Sequence, residues 1–100
     1  MILYNVTVKV DQAIHQEWLA WMKATHIPDV LATGFFVDHK VCRLLSVDEE
    51  DGPTYAIQYF CKDLEAFQQY QEKDAKRLQK DHVDKYGNRY VAFRTLMEVV

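Results

Sequence analysis

The first ten residues alternate: Ile2, Tyr4, Val6, Val8 and Val10 share one side, and Leu3, Asn5, Thr7 and Lys9 share the other. A period of two with β-branched and aromatic residues predicts a strand with unequal faces. The spacing then becomes helical. Ile14, Trp18, Trp21, Met22 and Thr25 fall on one side, with Gln12, Gln16 and Lys23 on the wetter one. Asp11 stands where a carboxylate can accept from the free amides of a helix start. Pro28 disfavours helical geometry at the residue before it, so this helix should stop near His26 or Ile27. Pro28 also suits a first helical position, so Asp29 to Ala32 should add a short turn closed by Gly34.

Phe35 to Val47 reads as a second strand, apolar but interrupted by Asp38, His39, Lys40 and Arg43. Asp48-Glu49-Glu50-Asp51-Gly52-Pro53 is the clearest turn in the chain. Thr54 to Cys61 forms the third strand, paired with the second as a hairpin. Asp63 caps a second helix whose apolar side reads Leu64, Phe67, Tyr70, Ala75 and Leu78, and Gly87-Asn88 ends it. Arg89 to Val99 makes a fourth strand. The order βαββαβ predicts one α+β domain over residues 1–100, with two helices on one face of a four-stranded antiparallel sheet, the ferredoxin-like arrangement.

Tyr4, Val6, Val8, Tyr55, Ile57 and Tyr59 are the more apolar strand positions and should lie under the helices. Leu3, Asn5, Thr7, Ala56, Gln58 and Phe60 then make the other face, which mixes apolar with uncharged polar groups. A solvated sheet face carries more charge than this. The expectation is a homodimer with sheets face to face, Asn5, Thr7 and Gln58 bonding in its interior without the desolvation cost of ions. The 100-residue length supports it, because a core this thin gains from a partner.

Charge removes other classes. Twelve Lys and Arg against fifteen Asp and Glu give a net charge of −3, without the basic footprint of a nucleic-acid binder. The stretch from Lys73 to Lys85 interleaves Asp74, Asp81 and Asp84, as a solvated helix face does. Cys42 and Cys61 sit in apolar strand-like runs with neither disulfide nor CxxC spacing, and read as reduced core thiols. The N-terminal residues lack the basic start of a signal peptide, and no apolar run approaches the roughly 20 residues of a bilayer span. The expectation is a cytoplasmic protein with no membrane partner.

His26 is the candidate for chemistry. An imidazole titrates near neutral pH, so at a pocket mouth it can serve as general acid or base. The other reading is a helix cap, with the ring bonded to the last carbonyls and its protonated form favoured there. Trp18 and Trp21 read as core, or as the wall of a flat apolar pocket completed by Tyr4, Tyr55 and Tyr59 for a small apolar or aromatic ligand. His15, His39 and His82 are scattered, and no HxxxH or HExxH occurs, so no metal is expected. Phosphate-cradling loops and nucleophile elbows are absent, and no cofactor is implied.

Three segments carry a family likeness: Met1 to Thr7; Trp18-x-x-Trp21-Met22-x-x-x-His26-Ile27-Pro28-Asp29-Val30-Leu31-Ala32-Thr33-Gly34; and Thr54-Tyr55-x-x-Gln58-Tyr59. Together they resemble a bacterial family of unknown function in the dimeric α/β-barrel group, over essentially the whole chain. That group includes antibiotic-biosynthesis monooxygenases, haem-degrading enzymes, muconolactone isomerases, sugar mutarotases and stress-induced barrels. The resemblance implies a homodimer with a pocket between sheet and helices in each subunit. With His26 read from its own chemistry as the candidate acid/base, the alternatives are a binding protein and a cofactor-independent isomerase or monooxygenase-like enzyme. The resemblance does not select among them.

Overall fold

The computed structural model describes residues 1–100. Four strands, β1 (Ile2–Val10), β2 (Asp38–Arg43), β3 (Thr54–Cys61) and β4 (Tyr90–Glu98), form one antiparallel sheet in the order β2-β3-β1-β4. Two helical arms cover one face. The first runs through α1 (His15–Trp21), a π turn at Met22–His26 and α2 (Ile27–Ala32). The second runs through α3 (Leu64–Tyr70), a π turn at Gln71–Ala75 and α4 (Lys76–Tyr86). This is the ferredoxin-like α+β fold that the hydrophobic pattern predicts.

Register assigns the two faces. Tyr4 lies opposite Tyr59 and Leu96, and Val6 opposite Ile57 and Arg94, so these point toward the helices. Tyr4, Val8, Tyr55, Ile57 and Tyr59 are buried there with Trp18, Met22, Val30, Phe67 and Leu78. Each fully buried side chain of this size stabilises the fold by about 1.5–3 kcal/mol. Asn5 pairs with Gln58 and Thr95, Thr7 with Ala56 and Phe93, and Leu3 with Phe60 and Met97, all on the uncovered face.

The helix boundaries follow local chemistry where a side chain dictates them. Asp11 Oδ1 accepts from the Ala13 amide at 2.9 Å, and Asp63 Oδ1 accepts from Ala66 at the same distance. Gly87 ends α4 at φ 55°, the left-handed geometry that a residue without Cβ adopts freely.

Cys61 is buried as expected but Cys42 is exposed, and two expected element boundaries fail. The first helix does not stop before Pro28. Ile27 is helical at φ −62°, ψ −46°, and its amide reaches five residues back to the Met22 carbonyl. The wider π turn absorbs the proline, which lacks an N–H and would crowd an ordinary i−4 carbonyl. Strand β2 is also shorter than Phe35 to Val47. Phe36 leaves the sheet to pack against Tyr4, Tyr59 and Tyr70, with ring centroids 4.8–6.3 Å apart. Aromatic burial overrides extended geometry at that end.

Gly52 packs the acidic turn onto the end of β1. Val10 donates to Pro53 O and Gln12 to Asp51 O, so a Cβ on Gly52 would stand 1.9 Å from the Val10 carbonyl oxygen. Gly34 also has positive φ but open space around its Cβ position. Gly52→Ala is therefore expected to lose at least about 2 kcal/mol, and Gly34→Ala about 1 kcal/mol. Urea denaturation of both variants checks this; equal losses would remove the steric account.

Candidate functional site

The π turn delivers His26 to the interior. Its ring is buried, stacks on Trp21 at 5.0 Å and faces His82 at 5.4 Å between centroids. The helix continues past it and its side chain makes no capping bond, which disposes of the cap reading. Burial, its largest influence, holds the His26 pKa below the ordinary imidazole value, with Arg94 acting the same way and Asp29 and Asp81 opposing. The protonated form expected at a helix end is thus disfavoured, because no helix ends there.

His82 is the residue that sequence reasoning missed. It lies on α4, only 4% exposed, and its Nε2 accepts a hydrogen bond from Trp18 Nε1 at 2.9 Å. Accepting at Nε2 places the proton of the neutral ring on Nδ1. The ring lies flat on Tyr90, with centroids 3.8 Å apart and planes 1° from parallel. Burial, then the neighbouring His26 and Arg94, lowers its pKa to about 3. Its charged flanks Lys80, Asp81 and Asp84 suggest a wet position. A signal was nevertheless present: Ala75, Leu78, His82 and Tyr86 repeat at helical spacing, and all four are buried.

Beside the two histidines lies a cavity of about 30 Å³ between helices and sheet. Its polar lining is Tyr4, Tyr59 and Tyr70, Gln79, Arg94 and the histidine pair. That volume holds a water molecule or two. Of the residues singled out from sequence, His26, Tyr4 and Tyr59 meet at this cavity. Trp18, Trp21 and Tyr55 stand outside its lining. Trp18 is fully buried between Tyr55 and His82, Trp21 is half-buried against Tyr86, and Tyr55 bonds His15 Nε2 through its hydroxyl.

Arg94 comes from β4 on the helix side. Its Nε donates to the Tyr4 hydroxyl at 3.1 Å. Burial pushes the Tyr4, Tyr59 and Tyr70 hydroxyls up, with Arg94 opposing at Tyr4 and Tyr70, so all three stay protonated at neutral pH. The site thus combines one permanent cation, three phenols, an amide and two neutral imidazoles. Such a set can orient a polar head group and move a proton.

Asn5, Thr7 and Gln58 lie on the opposite, uncovered face, remote from the histidines. Asn5 Nδ2 donates to Thr7 Oγ1 at 2.9 Å. The row Lys40-Gln58-Asn5-Thr95 crosses all four strands, flanked by rows carrying Phe60, Leu3 and Met97 on one side and Ala56, Thr7 and Phe93 on the other. Elsewhere, a larger depression of about 360 Å³ beside Gly34, Phe35 and Lys62 is open to solvent and has no histidine, tyrosine or arginine in its lining. No three His, Cys, Asp or Glu side chains gather as a metal ion would require. No helix is long and apolar enough to cross a membrane.

Fold and comparison agree on the class, an α+β protein of the ferredoxin-like kind whose solved neighbours include a dimeric member. The chain belongs to the family described as domain of unknown function (DUF4286), which matches residues 1–100. Among solved structures it resembles a dimeric ferredoxin-like protein from an uncultured marine organism, at TM-score 0.76 and 10% identity, covering 99% of this chain and 94% of that one. A protein of the EthD family, from Bacillus halodurans, gives TM-score 0.73 and 20% identity over 100% of both chains. A variant of MhuD with two manganese protoporphyrin IX molecules per active site gives 0.72 and 18%, over 100% of this chain and 95% of that one. No curated protein sequence matches the chain.

The histidine pair gives stability a defined pH dependence. Below about pH 6.5 the unfolded chain protonates both rings, while the folded one resists, His82 down to about 3. The unfolded state then binds more protons, so stability falls with falling pH, by up to about 1.4 kcal/mol per unit for each ring. Urea denaturation between about pH 7 and pH 5 measures the slope. His82→Gln, which keeps an acceptor for Trp18, should flatten it; an unchanged slope would locate the effect in other groups.

Proposed function

We propose that the protein is a homodimer that binds a small molecule in the cavity between its helices and sheet. The observation that carries the binding reading is the convergence of His26, His82, Arg94, Gln79 and three tyrosines on one interior space. Polar groups placed inside an apolar core incur desolvation costs, and a ligand that bonds to them offsets that cost. The dimer reading rests on the uncovered face, where Val91, Phe93 and Met97 are exposed beside the Asn5, Thr7 and Gln58 row. An apolar surface of that kind marks an interface. Neighbours of the same fold, one of them a dimeric ferredoxin-like protein, support it.

A second reading is enzymatic: a cofactor-independent isomerase or monooxygenase-like protein in which His26 is acid and base. His82 favours it. Two neutral imidazoles side by side supply both a proton acceptor and a neighbour that discourages double protonation. The similarity in fold to a putative antibiotic biosynthesis monooxygenase from Deinococcus radiodurans agrees with this chemistry without selecting it.

Light scattering after size exclusion should give twice the 11.8 kDa of the chain, and Phe93→Glu should return it to one chain mass with the fold retained. A wild-type monomer at micromolar concentration would end the dimer reading. For binding, a thermal-shift screen of small aromatic and aliphatic compounds is followed by NMR. Hits should move the ring resonances of His26 and His82; hits that move only surface signals would overturn the interior site. A hit that is chemically converted by wild type, and bound but unconverted by His26→Asn, would establish the enzymatic reading.

A further inference from the structure

Four arginines occur in the chain, and three are held by carboxylates: Arg43 by Glu49, Arg77 by Asp74 and Arg89 by Asp11. Arg94 is the exception. It has no carboxylate partner, yet it lines the interior cavity. Its one side-chain hydrogen bond runs from Nε to the Tyr4 hydroxyl, which fixes the guanidinium and leaves its terminal nitrogens uncommitted. A planar guanidinium anchored at one edge is preorganised to receive a two-oxygen anion at another.

The surroundings narrow the anion. His26 and His82 are neutral at physiological pH, so the cavity offers a single positive charge. A monoanion is balanced there, whereas a phosphate dianion is not. Phosphate is further disfavoured because no glycine loop lies among the lining residues. The site also has a way in. Arg94 and Leu96 sit on the helix side of β4, an edge strand, yet both remain exposed, so the helical layer leaves that end of β4 uncovered. Leu96 is 44% exposed and lies two residues beyond Arg94 on the same face, next to Tyr4. The cavity of about 30 Å³ has room for a head group only.

From these observations we infer that the cavity mouth binds a small amphiphilic carboxylate, its carboxylate paired with the Arg94 guanidinium and its apolar part lying over Leu96. The inference rests on the interior-binding reading above and adds the chemical class of the ligand and the residue that selects it. Tyr4 is a positioning residue here, holding the guanidinium by its Nε–H.

Benzoate and its neutral isostere benzamide provide the test, titrated into the isotopically labelled full-length chain and followed by NMR. Benzoate should shift the Arg94 Nε–H and the His82 ring saturably, and benzamide should not. Arg94→Gln should weaken benzoate at least about tenfold, as expected for loss of a charge-assisted bond, with the fold confirmed by its dispersed spectrum. Arg94→Lys keeps the charge and loses the planar fork, so it should fall between the two; it also carries the test if the glutamine variant unfolds. Equal binding of benzoate and benzamide, or benzoate binding unaffected by Arg94→Gln, would overturn the carboxylate assignment. So would an Arg94→Gln variant whose only defect is loss of the dimer, since the guanidinium would then serve a partner chain. A neutral compound that still reaches the histidines would leave the interior site standing while the carboxylate assignment falls. Silence from every compound, charged or neutral, would remove both.

Discussion

The hydrogen bond from Trp18 to His82 joins the two helical arms inside the core, and much of the interior depends on it. It satisfies the indole N–H of a fully buried side chain, which would otherwise have no route to water. It also decides where the His82 proton resides, and with it which edge of that ring donates. His82 in turn lies flat on Tyr90 and faces His26, so one bond sets the geometry of an aromatic and imidazole group drawn from both arms and from β4. Removing either partner leaves a buried polar atom unpaired, a cost of about 1–3 kcal/mol before any packing change.

Around that bond the interior divides into two regions of different chemistry. Toward Phe36 and Phe67 the core is a cluster of phenyl and phenol rings, with Tyr4 in contact with four aromatic neighbours. Toward α4 and β4 it becomes imidazole, amide and guanidinium. Tyr4 belongs to both, with its ring in the cluster and its hydroxyl on Arg94. This boundary explains how a thin domain tolerates two buried histidines. Each is walled by aromatic faces on the core side and borders a small polar space on the other.

Strand faces were legible from alternation alone, because in β1 and β3 every second residue is apolar and the register leaves no ambiguity. Helix starts were legible at Asp11 and Asp63, where one side-chain oxygen does the work. The passage through Pro28 was not, since the rule for the residue before proline assumes ordinary helical bonding and a π turn relaxes it. That single departure also changed the meaning of His26, from a residue at a helix end to one in a core. His82 and Arg94 were hidden for another reason. His82 stands among charged neighbours and Arg94 is a lone cation in an otherwise largely apolar strand, and only the pairing of β4 with β1 and the packing of α4 bring them to the same cavity as Tyr4. Tyr59 and Tyr4 were found because they alternate on adjacent strands, whereas Trp18 and Tyr55, equally aromatic, lie outside the lining of the space.

Sheet order has a kinetic consequence. Strand β1 is central, held on one side by β3 and on the other by β4, which pairs Ile2 with Glu98. During synthesis β1 therefore emerges first and acquires its second neighbour last, an interval on the order of ten seconds at ordinary translation rates. Through that time its edge facing β4 is an open template for any passing strand. The long loop closure between the two ends also slows folding relative to a fold built from local contacts. Completion of the sheet and assembly of the Arg94 side of the cavity are then the same event, so a chain that has not finished folding has no such cavity.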